Sequence, residues 1–443
     1  MKTPIVDFVR SYADTSPVRL HMPGHKGAGD IERYDITEIP GADSLYEASG
    51  IIMESERLAG ELFGCHTFYS CEGSSLCIRA MLYLILSYAK DMGRGARVLA
   101  ARNAHKTFIG AAALLGIEVD WMVGSGSYLS SAITAEDVAE YLDKCSTPPA
   151  AVYVTCPDYL GGMADVCAIA EVCHARGVLL AVDNAHGAYL RFLTPSRHPM
   201  DLGADICCDS AHKTLPVLTG GAYLHVSDAA PTQLYERART ALSIFGSTSP
   251  SYLILQSLDR ANAYLSCGYE ARLADFAERV FDIEADLCAM GYELYGDEPL
   301  KITVCPKSYG YTGYELAEIL AVAGVIAEFA DRDHTVLMLT PEIAEDDLIR
   351  ARDVLLGVER RTPVSEYPPS LAIPKRAMSP REAMLMPSEW LPRDKCLGKT
   401  LAAVTVGCPP AVPIIVMGEV VDECAMRAFE YYGITELCVL KDT

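Results

Sequence analysis

The chain has 443 residues, half of them apolar and 22% charged, with a formal net charge of −22. This suits an ordinary globular protein of two or three domains. The acidic excess speaks against nucleic acid as a partner, because phosphate contacts need clustered Lys and Arg. It is compatible with steering of a cationic substrate and equally with a surface that serves solubility alone. No apolar run is long and unbroken enough to cross a bilayer, and residues 401–418 are interrupted by Pro409, Pro410 and Pro413. Residues 1–10 lack an apolar core behind a basic start, so no signal peptide is expected and the protein reads as soluble and cytoplasmic. Sixteen cysteines without any C-x-x-C pair then read as reduced thiols packed as small hydrophobes.

In chain order, strands are predicted over 67–70, 97–101, 117–123, 151–155, 178–183, 206–208 and 222–226, each a short apolar or β-branched run. Helical spacing fills the gaps over 76–90, 104–115, 135–144 with Thr134 as N-cap, and 164–176 with Gly177 as a stop. Continuous apolar strands separated by helices mean a mostly parallel sheet covered on both faces, with ligands beyond the carboxyl ends of its strands. Helical stretches are predicted over 231–242 and 252–290. A second α/β region follows, with strands over 300–305 and 336–340 around a helix over 314–323. The Pro-rich stretch 362–387, holding Pro368, Pro369, Pro374, Pro380 and Pro387, reads as a linker or an extended surface segment.

Candidate chemistry collects at the strand ends. Asp209-Ser-Ala-His-Lys-Thr214 follows a buried strand, so Lys213 emerges at the sheet edge where ligands bind. A lysine there is costly unless paired, deprotonated or used covalently, and burial makes its amine a nucleophile toward carbonyls. Asp183 ends another apolar strand in Ala181-Val-Asp-Asn-Ala-His-Gly187. It suits the protonated nitrogen of a pyridoxal ring, or, more plainly, the N-cap of a following helix. Glu72-Gly-Ser-Ser75 opens a helix with small hydroxyl residues, as a phosphate site does, although many helices begin with Ser. No G-x-x-x-x-G-K-[ST] is present, and Gly124-Ser-Gly126 lacks the third glycine of a dinucleotide fingerprint. His105 opens a helix after a strand, in place to stack on a flat ring or simply to serve as a polar helix start. His21 and His25 have the spacing of a helical metal pair, but Pro23 and Gly24 oppose a helix, so an extended polar loop is expected and no metal site.

Together these segments are recognisable. His21-Met-Pro-Gly-His-Lys-Gly27, Ala104-His-Lys106, Asp183-Asn-Ala-His-Gly187, Ser210-Ala-His-Lys-Thr-Leu-Pro216 and Gly246-Ser-Thr-Ser-Pro250 occur in the order seen in the ornithine/lysine/arginine decarboxylases. The chain resembles their short form, without an N-terminal receiver-like domain, over nearly its whole length. The resemblance implies an α/β fold of the aspartate-aminotransferase-like type, fold type I. Its parts would be an N-terminal segment 1–48 contributing to the active site, a cofactor-binding large domain 49–258 and a smaller C-terminal α/β domain 259–443. The implied cofactor is pyridoxal 5′-phosphate, on a Schiff base to Lys213. Asp183 would pair with the pyridine nitrogen, and His105 and Ala185 would pack on the two ring faces. Ser74, Ser75, Ser210 and His212 would bind the phosphate, and His186 is a further cofactor contact. Ser247 and Thr248 would reach the phosphate of a neighbouring subunit, making a homodimer with shared active sites, or a higher oligomer. Residues 407–419 resemble the family's small-domain motif.

The implied reaction is α-decarboxylation of lysine, ornithine or arginine, in polyamine biosynthesis, with Lys213 or His212 returning the proton. The sequence departs from the pattern at Glu72 (usually Asn), at Cys408 (usually aromatic), at Ala411 (commonly Gly), and at Thr219-Gly-Gly221, where Gly220 lies in a stretch that usually contains Gln. These departures bear on substrate choice more than on cofactor binding. An aminotransferase or aldolase-type lyase on the same fold, or a catalytically silent regulatory homologue, are the alternative readings.

Overall fold

The structure, a computed structural model, describes residues 1–124, 132–407 and 412–442. The departures at Cys408 and Ala411, and Ser125-Gly126 of the rejected fingerprint, lie outside the described residues. The chain divides into two compact units, the first formed by residues 1–98, 142–154 and 166–271 and the second by 99–141, 155–165 and 272–443.

Seven strands form one sheet: β1 (His66–Ser70), β2 (Arg97–Ala101), β3 (Glu118–Met122), β4 (Ala151–Thr155), β5 (Leu179–Asp183), β6 (Ile206–Asp209) and β7 (Ala222–Val226). Their order is β1-β7-β6-β5-β4-β2-β3. β5 and β6 run parallel, pairing Ala181 with Ile206 and Asp183 with Cys208. β7 is the reversed strand, antiparallel to both β6 and β1. Every residue of β5, β6 and β7 is buried, which explains why their sequences are continuous apolar runs rather than alternating ones.

Local chemistry sets the helix boundaries. The helix predicted over 104–115 begins at Lys106, because His105 is its N-cap and accepts from the Thr107 N–H. The helix Ala135–Lys144 is opened by Thr134, whose hydroxyl accepts from Asp137 N at 3.1 Å while the Asp137 carboxylate accepts from Thr134 N at 2.9 Å. The stretch predicted over 252–290 is two helices, Tyr252–Leu265 and Tyr269–Met290, since Gly268 takes φ +68° between them. Residues 231–242 likewise divide, into Thr232–Glu236 and Ala238–Phe245.

In the second unit, β8 (Glu293–Tyr295), β9 (Lys301–Cys305), β10 (Phe329–Ala330) and β11 (Thr335–Met338) form a sheet of order β10-β11-β9-β8, antiparallel at every pairing. Helix Gly313–Val322 opens with a capping box of Thr312 and Glu315. The Pro-rich stretch is anchored chain: it carries a capped helix, Pro380–Leu385, and Arg376 bridges to Glu419. Beyond it, β12 (Ser388–Pro392) pairs with β15 (Glu436–Leu440), and β13 (Thr405–Gly407) with β14 (Pro413–Val416). Leu401, Ile414, Val421, Phe429 and Val439 form the core there. A buried bidentate pair joins Arg102 to Glu419 at 2.8 and 2.7 Å. Among the described residues no helix is long and apolar enough to cross a membrane, and fifteen cysteines are free thiols.

His334, 6% exposed, lies against Asp331, with Nδ1 3.5 Å from Oδ1. Burial opposes its charge, but Asp331 and Cys305 outweigh burial and raise its pKa to about 9. A folded-state pKa above the ordinary 6.5 means that the bound proton stabilises the fold. That contribution is complete below about pH 6.5 and is lost as pH rises toward 9. Urea unfolding at pH 6 and pH 9.5 should show a loss on the order of 2–3 kcal/mol from this group. His334→Gln should remove that part of the slope.

Candidate active site

The site is built where β5 and β6 end. Asp183, the last residue of β5, is 2% exposed. Its Oδ2 accepts from Tyr153 Oη on β4 at 3.1 Å, and its Oδ1 accepts from Ala185 N at 3.2 Å. The carboxylate therefore closes a short turn on its own backbone and does not cap a helix: the next helical turn, Ala188–Phe192, starts at Gly187. Tyr153, which the sequence pattern offered only as one residue of an apolar strand, is the neighbour that orients Asp183. Burial, and next the Asp183 charge, push the Tyr153 phenol well above its ordinary range, so it stays a donor.

β6 runs into the short helix Ala211–Thr214, which carries His212 and Lys213. Lys213 Nζ lies 3.0 Å from Nε2 of His186, so the turns after β5 and β6 meet through these two side chains. His212 Nδ1 donates to Gly221 O at 2.9 Å. Ser210 Oγ donates to Ser74 Oγ at 2.7 Å. Ser74 and Ser75 lie in the first turn of the helix Gly73–Asp91, nineteen residues long, whose leading N–H groups and dipole favour an anion.

The departures from the family pattern have structural roles here. Glu72 makes no side-chain cap; its Oε1 accepts from the Ser247 N–H at 2.6 Å, and Ser247 and Thr248 are exposed beside it. Gly220 takes φ +99° and accepts from the Gly73 N–H at 2.7 Å. A Cβ at Gly220 would stand 2.8 Å from Cys71 O.

His105 belongs to the second unit, where it is exposed and its Nδ1 lies 3.0 Å from Thr107 Oγ1. The loop around His21 and His25 is held by separate partners. His21 Nε2 lies 2.6 Å from Tyr12 Oη, and His25 Nε2 lies 3.2 Å from Asp35 Oδ2.

A lysine amine, a buried oriented carboxylate and serine hydroxyls at a long helix start form one donor set. It fits an aldehyde, a pyridinium nitrogen and a phosphate, which are the three functional parts of pyridoxal phosphate.

The comparisons agree on the cofactor. The model of the Orn/Lys/Arg decarboxylase major domain matches residues 3–285. The chain belongs to this decarboxylase family. An arginine decarboxylase of Halalkalibacterium halodurans is 32% identical over 95% of this chain and 91% of the relative. An arginine decarboxylase of Bacillus subtilis is 28% identical over 95% and 92%. A lysine decarboxylase structure from Francisella novicida superposes with a TM-score of 0.81 at 16% identity, covering 99% of this chain and 81% of that one. As a family member the decarboxylase is an enzyme acting on basic amino acids with pyridoxal phosphate as cofactor, on the aspartate-aminotransferase-like fold.

Gly220→Ala tests the turn that holds the helix start. Left-handed strain and the contact with Cys71 O should cost about 1–3 kcal/mol in urea unfolding. Binding of pyridoxal phosphate should weaken in parallel, measured by titrating the cofactor-free protein.

Proposed function

We propose that the decarboxylase removes the α-carboxylate of arginine, with Lys213 as the residue that carries pyridoxal phosphate covalently. The meeting of Lys213 and His186, 3.0 Å apart on turns that leave neighbouring parallel strands, is the observation that carries this reading. When bound, the cofactor supplies an electron-accepting ring for the electrons of the breaking Cα–carboxylate bond. Asp183 would face the ring nitrogen, with Tyr153 and the Ala185 N–H orienting its two oxygens. Ser74, Ser75, Ser210 and His212 hold the phosphate, with His212 set by the Gly221 carbonyl. Ala185 would pack against one face of the ring. His186 shares a proton with the Lys213 amine, and Lys213 or His212 returns a proton to the substrate carbon.

Arginine is favoured over lysine and ornithine by the names of the relatives aligned along 95% of the chain. The net charge of −22 suits the approach of a guanidinium. A homodimer is supported by the apolar side chains left uncovered on the N-terminal segment. Val18, Leu20, Met22 and Ile31 are 86, 90, 69 and 66% exposed. In such a dimer Ser247 and Thr248 of one subunit reach the phosphate held by the other.

Incubation with pyridoxal phosphate and arginine, lysine or ornithine separately, followed by mass spectrometry, tests the reading. Agmatine is the expected product, and Lys213→Ala should lower its formation by at least about three orders of magnitude. Cadaverine or putrescine instead would move the substrate assignment. Agmatine at the wild-type rate from Lys213→Ala would overturn the assignment of the lysine.

A further inference from the structure

Beneath the two turns that carry Asp183 and Lys213 lies a polar cluster that the reaction does not use. Asp209, the last residue of β6, is 0% exposed, as are Asn184, His198 and His225. Its Oδ1 accepts from Asn184 Nδ2 at 2.6 Å. Its Oδ2 accepts from His198 Nε2 at 3.0 Å and from His225 Nε2 at 3.1 Å. His225 in turn reaches Thr67 Oγ1 with Nδ1 at 2.9 Å. We propose that Asp209 is a positioning residue: through Asn184 it locks the turn bearing Asp183, Ala185 and His186 to the turn bearing Ser210, His212 and Lys213.

The argument is geometric. The parallel ladder of β5 and β6 ends where Asn184 N donates to Cys208 O at 3.0 Å, after which the two backbones leave on separate turns. Beyond that point the Asn184–Asp209 hydrogen bond joins them at the base, and Lys213–His186 joins them higher up. Asn184 itself is sandwiched in sequence between Asp183 and Ala185. Its side chain lies so close over the turn that a Cβ at Gly187 would stand 2.0 Å from Asn184 Oδ1.

An aspartate closed in the core needs all its oxygens satisfied. Burial works against its charge, but His198 and His225 outweigh it and hold the carboxyl well below the usual carboxylate range. Burial opposes charge on His225 as well; Cys65 and Asp209 overcome it and raise that pKa. Cys207, His198 and Asp209 have ligand atoms within 4.8 Å of one another. However, the histidine-to-carboxylate separations are hydrogen-bond lengths, and Asp209 accepts three hydrogen bonds already. The cluster is therefore a hydrogen-bonded brace.

The inference rests on the pyridoxal-phosphate reading above, and the test separates the two. Cofactor-free wild type, Asn184→Ala and Asp209→Asn are titrated with pyridoxal phosphate, and the absorbance of the bound cofactor is followed across pH. Circular dichroism and thermal unfolding run alongside. Asn184→Ala removes only the lower of the two links between the turns and leaves Asp209 with both histidines. It should raise the apparent dissociation constant at least tenfold and shift the pH midpoint of the absorbance, while circular dichroism stays that of the wild type. Asp209→Asn should do the same more strongly; if it does not fold, Asn184→Ala decides alone. Folded Asn184→Ala with the wild-type constant and the wild-type pH midpoint overturns the brace. Wild-type protein that takes up no pyridoxal phosphate overturns the functional reading instead.

Discussion

Two apolar strands lying side by side and parallel, β5 and β6, impose most of the chemistry. Because both point their carboxyl ends to the same edge, the residues following them emerge together although more than twenty positions separate them in sequence. One strand ends on Asp183 and the other on Asp209, so two buried carboxylates stand at that edge, and the lysine follows within a single helical turn. Neither carboxylate is tolerable in an apolar layer without partners, and each has a different set. Asp183 has a phenol, a backbone amide and the Cys208 thiol, which orient it. Asp209 has a side-chain amide and two imidazoles, all from residues that are themselves buried.

Backbone conformation constrains the neighbouring loops as well. Gly73 and Gly220 adopt left-handed backbone where the loop before the helix Gly73–Asp91 meets the loop after Lys213. A side chain at Gly220 would collide with backbone, so the glycine in this departure from the family pattern is required by the turn it occupies. Glu72 receives the Ser247 N–H with a carboxylate, a hydrogen bond to a charged acceptor. It holds the exposed Ser247-Thr248 segment beside Glu72, the residue that precedes the helix Gly73–Asp91.

The sequence by itself determined the family, the order of the strands along the chain and the identity of the principal groups. Continuous apolar runs ending on Asp183 and on Asp209-Ser-Ala-His-Lys213 are legible because a fully buried strand must be apolar throughout, so a charge at its end stands out. Helix starts were legible to within a few residues where a cap is a short-range signal, as at Thr134. Breaks such as the one at Gly268 escaped, because a single glycine in a long helical pattern is tolerated as often as it terminates. Tyr153, Asn184, His198 and His225 also escaped. Nothing local marks a tyrosine inside one strand as the partner of an aspartate thirty residues on, or two histidines as partners of a carboxylate on another strand. Only the tertiary structure decided those pairings, since strand order and register set them and periodicity does not encode either.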